Sequence, residues 1–156
     1  MPGQKPPARF FAGAGAGHGQ TELLAFDRAL AAAGMSEFNL VRVSSIIPPG
    51  AARAGEVDLP PGLLLPVAYG SFSSSEEGQV ISAAVAAGIP ESPGAVGIIM
   101  EFAGPLPEQE ARQAAEEMAR QALVNRGSRV KEVIVVSAEA VVRGPTAVFA
   151  GVALLP

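Results

Sequence analysis

Five apolar runs of strand length recur along this chain, Leu63 to Phe72, Val80 to Ile89, Ala95 to Phe102, Val130 to Val142 and Thr146 to Leu155, each reaching a Pro, Gly or Ser within two residues of its end. Strands that apolar bury their side chains only when sheets are stacked or covered, so they call for layers. Two helical patterns supply the cover. Thr21 to Ala33 has a capping threonine, a stripe of Leu23, Phe26 and Leu30, and Gly34 as its stop. Glu108 to Arg126 opens after Pro107 with an acidic first turn and closes at Arg126-Gly127, and its stripe of Ala111, Ala114, Ala115, Met118 and Ala122 suits close packing on a sheet. A further strand is expected at Phe38 to Val43, and residues 1–8, with three prolines, read as a loose lead-in. The Pro- and Gly-dense stretch from Pro48 to Gly62 reads as a long, functional connection. The expected class is α/β layers in one domain spanning residues 1–156.

Composition removes whole classes of function. With 49% hydrophobic and 17% charged residues the chain folds, and with a net charge of −4 and its basic residues scattered from Lys5 to Arg143 it offers nucleic acid no basic stripe. No cysteine and a single histidine exclude disulfides, thiol nucleophiles and the usual zinc motifs, so no metal is expected. The histidine, His18, lies in Gly13-Ala14-Gly15-Ala16-Gly17-His18-Gly19, which is too permissive to steady the imidazole of a Ser-His-Asp triad. The same stretch fails the dinucleotide pattern, is followed by no phosphate-binding Gly-Lys pair, and reads as a flexible or closely packed turn into the first helix. No run is long enough for a membrane helix, and Lys5 to Ala16 carries glycine where a signal peptide has leucine, so a cytoplasmic protein is expected.

Three features carry possible chemistry. Asp27 lies four residues after Leu23 and three before Leu30, on the apolar stripe, where a carboxylate needs an internal partner such as Arg42, a cationic ligand, or a stripe edge in water. Glu101 is the only charge in Gly97-Ile98-Ile99-Met100-Glu101-Phe102; it is either a solvent-facing strand end or a desolvated acid with raised proton affinity. Ser44-Ser45 ends a strand just before Ile46-Ile47-Pro48-Pro49, where the prolines stiffen the exit. A plain strand exit is one reading. The other has the Ser45 hydroxyl attack the Ser44 carbonyl carbon, turning amide into ester, after which β-elimination and hydrolysis break the chain and leave a ketone.

Taken together, these stretches resemble the pyruvoyl-dependent arginine decarboxylase family. The matching blocks are Ala25-Phe26-Asp27-Arg28-Ala29-Leu30, Asn39-Leu40-Val41-Arg42-Val43-Ser44-Ser45-Ile46-Ile47-Pro48-Pro49, Val67-Ala68-Tyr69-Gly70, Ile81-Ser82-Ala83-Ala84 and Ile98-Ile99-Met100-Glu101-Phe102. The resemblance implies a four-layer αββα sandwich assembled as a homotrimer with sites between subunits. It implies cleavage between Ser44 and Ser45 into a β chain of residues 1–44 and an α chain of residues 45–156, whose Ser45 becomes a covalent pyruvoyl group, with no external cofactor. Decarboxylation of L-arginine to agmatine then proceeds through a Schiff base on that group. By the same resemblance Asn39 assists processing, Glu101 protonates the substrate carbon, Asp27 grips the guanidinium, and Leu23, Leu30, Phe38 and Ile46 line the substrate site. Two features depart from the family pattern: Phe38 places a large ring where a smaller apolar residue is usual beside the substrate, and the run from Gly13 to Gly19 is richer in glycine. Two alternatives fit the same residues: the same chemistry on another amino acid, and an uncleaved trimeric binding or structural protein.

Overall fold

The alternating run that ends at His18 is a strand rather than the expected turn. In the computed structural model, which describes residues 4–156, β1 spans Arg9–His18 and pairs antiparallel with β9 (Thr146–Leu155) over its whole length. Its glycines are there for proximity. A Cβ at Gly17 would lie 2.6 Å from the Ala25 carbonyl oxygen, and one at Gly15 or Gly13 would run into the carbonyls of Ala29 or Ala33. Those alanines recur every fourth residue on the buried face of α1 (Glu22–Ala32) and its C-cap, so helix and strand meet backbone to backbone. Gly15→Ala is therefore expected to destabilise the fold by about 1–3 kcal/mol, read as a lower urea midpoint at unchanged slope. An unchanged midpoint would show that α1 can lift off β1 freely.

This close contact also corrects the reading of α1. The fully buried face is Ala25 and Ala29; Phe26 and Leu30 are half-buried at its edge, packed on the cluster under the helix, while Leu23, 77% exposed, and Asp27 turn outward. Thr21 caps the helix as expected, its hydroxyl accepting from the Leu24 N–H at 3.1 Å, and Gly34 beyond its end takes φ +80°.

The remaining strands are β2 (Asn39–Arg42), β3 (Ile46–Ile47), β4 (Ala52–Arg53), β5 (Leu64–Ser74), β6 (Val80–Pro90), β7 (Gly97–Gly104) and β8 (Val130–Val141). One sheet runs β2-β5-β9-β1-β4 and the other β3-β7-β6-β8. The helix α1 covers the outer face of the first sheet and α2 (Glu108–Asn125) that of the second, which gives the four αββα layers. Between the sheets Phe10, Ile81, Val85, Ile99, Val148 and Val152 form the central core. β6 is packed on both faces, against α2 and against the opposite sheet, which is why it reads as an unbroken run of small apolar residues. On α2 the packed stripe is Ala111, Ala115, Ala119, Ala122 and Leu123; Met118, placed on it by spacing, is exposed instead. Of the lead-in expected over residues 1–8, residues 1–3 lie outside the described residues, and residues 4–8 form no regular element. The connection from Pro48 to Gly62 is not structureless, since β4 within it pairs parallel with β1. No helix among the described residues is long and apolar enough to cross a membrane.

Candidate active site

The chain changes sheets at Ser44-Ser45. β2 lies parallel to β5, and its last ladder bond is from the Val43 N–H to the Val67 carbonyl at 3.1 Å. Two residues later the Ser45 carbonyl accepts from the Ile99 N–H at 2.8 Å, and β3 continues antiparallel to β7, with Ile46 opposite Ile98. The Ser44–Ser45 peptide is thus held at one end by the first sheet and at the other by the second, with Ile47 buried just beyond it and Pro48-Pro49 following. Ser44 is exposed and Ser45 half-buried.

The β3–β7 register also delivers Glu101. Side chains alternate along a strand, so Glu101 shares a face with Ile99, the residue bonded to Ser45, and that face looks toward the opposite sheet. There β5 presents Gly70; a Cβ on it would stand 3.2 Å from Glu101 Cγ. Glycine in this strand interior leaves the room that the glutamate side chain occupies. Glu101 consequently projects into a cleft of about 380 Å³ lined by Arg42, Val43, Ser44, Ser45, Ile99, Met100 and Glu101. Its carboxyl is half-buried and is held above the usual glutamate range because burial disfavours its charged form, while the Arg42 charge pulls weakly the other way. Glu101 does not end its strand, since β7 runs on to Gly104.

Arg42 has other partners than the one first considered. Its Nη2 donates to the Tyr69 carbonyl at 2.5 Å and its guanidinium carbon stands 4.3 Å from the Tyr69 ring centroid. Asp27 makes no ion pair among the described residues and is not part of the cleft lining. Leu23 and Leu30 stand four residues before and three after it on the same side of α1, so these three residues are brought together with one another but lie outside the cleft that Ser45 lines. Asn39 begins β2, roughly 16 Å along an extended strand from Ser44. Its Nδ2 donates to the Gly62 carbonyl at 3.0 Å, which fastens the chain entering β5. Phe38 is half-buried against the apolar cluster under α1, and Ile46, beside the cleft, is 37% exposed. His18 closes β1 with Nδ1 2.9 Å from Thr146 Oγ1, outside the cleft lining. No group of three or more His, Cys, Asp or Glu suited to a metal ion occurs among the described residues.

Two cleft features escaped the sequence reading. Arg42 was weighed only as a partner for Asp27, and Gly70 only as part of a matching block; a glycine inside an apolar strand was the available sign of a close approach.

Comparison with known proteins gives a consistent answer. The family model described as pyruvoyl-dependent arginine decarboxylase matches residues 9–153. The chain is similar to the pyruvoyl-dependent arginine decarboxylase of Methanocaldococcus jannaschii, with 39% identity over 141 residues, 90% of this chain and 86% of that one. It is 38% identical to the protein of the same name from Thermococcus kodakarensis over 152 residues, 96% of each chain. The Pyrococcus horikoshii protein of that name is 40% identical over 146 residues, 92% of each.

Proposed function

The chain belongs to the pyruvoyl-dependent arginine decarboxylase family, and from that premise we propose that it converts L-arginine to agmatine and carbon dioxide with a pyruvoyl group made from its own Ser45. The observation that carries the reading is the meeting of Ser44, Ser45 and Glu101 in one cleft, although Glu101 lies far along the chain from the serine pair.

The chain makes the group by cutting itself. Attack of the Ser45 hydroxyl oxygen on the Ser44 carbonyl carbon forms an ester as the carbon–nitrogen bond of the peptide breaks and the nitrogen takes up a proton. Loss of the Ser45 Cα proton expels the Ser44 carboxylate. Water then replaces the nitrogen, ammonia leaves, and a ketone stands at the new terminus of the α chain. Holding the bond between two sheets favours the first step, because the two reacting groups lose little further freedom.

The residues around Ser45 fit such a group: its carbonyl is already held by the Ile99 N–H, and an acid with raised proton affinity faces the same cleft. The group supplies a ketone that joins the substrate α-amine and a neighbouring carbonyl that takes up the electron pair left by departing carbon dioxide. Glu101 then delivers its proton to the substrate α-carbon, a contribution of the kind worth about 10²–10⁴ in rate. Apolar Ile46, beside the cleft, flanks the aliphatic part of the substrate; Phe38, as far along β2 from Ser44 as Asn39, does so from a neighbouring copy.

Asp27, Leu23 and Leu30 act from a neighbouring copy in a homotrimer. Their support is the outward stripe on α1, where an exposed carboxylate stands among leucines, a surface fitted to bind a cation on an aliphatic stem. Asn39 assists processing in the same way: roughly 16 Å of extended strand separates it from Ser44 in its own chain, so the oxyanion it serves belongs to a neighbouring copy. One αβ unit, with a β chain of residues 1–44 and an α chain of residues 45–156, is a single domain.

Incubating the purified protein with L-arginine tests the activity: agmatine and carbon dioxide should appear in equal amounts, and denaturing electrophoresis should show two chains. An intact, inert chain would favour a binding or structural role instead. Asp27→Asn should raise KM for arginine at least tenfold with processing intact, since a neutral amide cannot replace the charge-assisted pair. An unchanged KM would move the guanidinium site elsewhere and reopen the choice of amino acid.

A further inference from the structure

Where β2 leaves its sheet at Val43, β5 runs on with that edge vacated, and Tyr69 lies on the vacated stretch. Arg42 takes the place of the missing strand there, its Nη2 donating to the Tyr69 carbonyl. The Tyr69 ring beneath the guanidinium is itself seated on Phe149, with ring centroids 5.2 Å apart. Carbonyl and ring together clamp the arginine. Arg42 nonetheless lines the same cleft as Glu101, and it forms no ion pair with it: the ion pairs among the described residues are Arg9–Asp58 and Arg120–Glu116.

We propose that Arg42 is a positioning residue for the Glu101 proton, tethered by Tyr69 so that its charge acts on the carboxyl group across the cleft without closing onto it as an ion pair. The inference rests on the reading of Glu101 as the proton donor. A donor in this reaction must hold a proton at working pH and release it each turnover. An arginine in direct contact would keep the carboxylate ionised, and no cation at all would leave burial unopposed. The tether gives the intermediate case, and the direction of the Glu101 shift agrees, burial outweighing Arg42.

Other charges are poorly placed to do this. β6 and β9, packed on or beside β7, carry no charged side chain, β3 contributes only Ile46 and Ile47, and β5 between Leu64 and Ser74 offers no ionisable group but the Tyr69 phenol, which stands behind the Arg42 guanidinium and outside the cleft lining. The acidic and basic residues of α2 lie beyond the other face of β7.

The uncleaved Ser45→Ala chain allows a test that needs no catalysis. With ¹³C-labelled glutamate, the Glu101 carboxyl resonance is assigned by its loss in Glu101→Gln and titrated by NMR. Arg42→Gln should raise its midpoint by roughly one pH unit, as removal of a nearby opposite charge does. Tyr69→Leu, which removes the ring half of the clamp and keeps the backbone carbonyl, loosens the arginine toward the carboxylate and should lower it. If that variant does not fold, Arg42→Lys serves the same end, since a compact ammonium on a flexible stem should leave the midpoint at or below that of the parent chain. Midpoints that stay put in Arg42→Gln, or that move the same way in Arg42→Gln and Tyr69→Leu, would overturn the proposal. In the processed enzyme the basic limb of kcat should follow the same shifts; NMR shifts without that response would leave the tether standing and remove Glu101 as donor.

Discussion

Ser45→Ala is expected to leave a single chain of 15.8 kDa that neither splits nor releases carbon dioxide from arginine. Alanine lacks the oxygen that attacks the Ser44 carbonyl and the β-leaving group that makes elimination possible, so both stages of cleavage fail together. The fold should survive. Ser45 is tied into the sheet through its backbone carbonyl, which alanine retains, and its side chain makes no hydrogen bond within the chain among the described residues. Denaturing electrophoresis and intact mass read the first outcome, and far-UV circular dichroism with the urea midpoint reads the second. Two fragments from Ser45→Ala would place the scissile bond elsewhere; one uncut chain from the parent protein, active on arginine, would dispose of the self-made ketone.

Glu101→Gln is expected to cut itself normally and then to turn over slowly, with kcat down by about 10²–10⁴ and KM for arginine little changed. The amide is nearly the same shape and sits over the same Gly70, so binding persists while the transferable proton is lost. The pH dependence follows from the direction of the Glu101 shift. The protonated form is the active one, and burial holds the proton to a higher pH than an ordinary glutamate would. The parent enzyme should therefore lose kcat as pH rises through this raised value, and the glutamine variant should lack that limb. A variant as fast as the parent, or one keeping the same basic limb, would assign the donor role to another group. Processing, checked by mass, separates this result from failure to mature.

Much of the architecture could be read from local pattern. The runs that became β5 to β9, and both helices with the Thr21 cap and the Gly34 stop, announced themselves because strand length, helical period and capping are properties of adjacent residues. The run from Gly13 to Gly19, most of which lies in β1, reads as a turn for a physical reason. Alternating Gly and Ala has the period of a strand, but without the helix in view glycine signals freedom, whereas here it marks the absence of room beneath Ala25, Ala29 and Ala33. The same contact redraws the α1 stripe: backbone-to-backbone packing buries Ala25 and Ala29, leaves Phe26 and Leu30 half-buried, and turns Leu23 and Asp27 outward.

What the amino-acid order alone determined is the chemistry available: no thiol, one histidine, a serine pair before two prolines, and a carboxylate isolated in an apolar strand. What only the tertiary structure decided is which of these meet. Ile46 pairs with Ile98 across two strands distant in the chain, and that register, with the bare Cα of Gly70 opposite, sets Glu101 beside Ser45. No local preference encodes such a pairing, because register is chosen by the burial of whole faces at once.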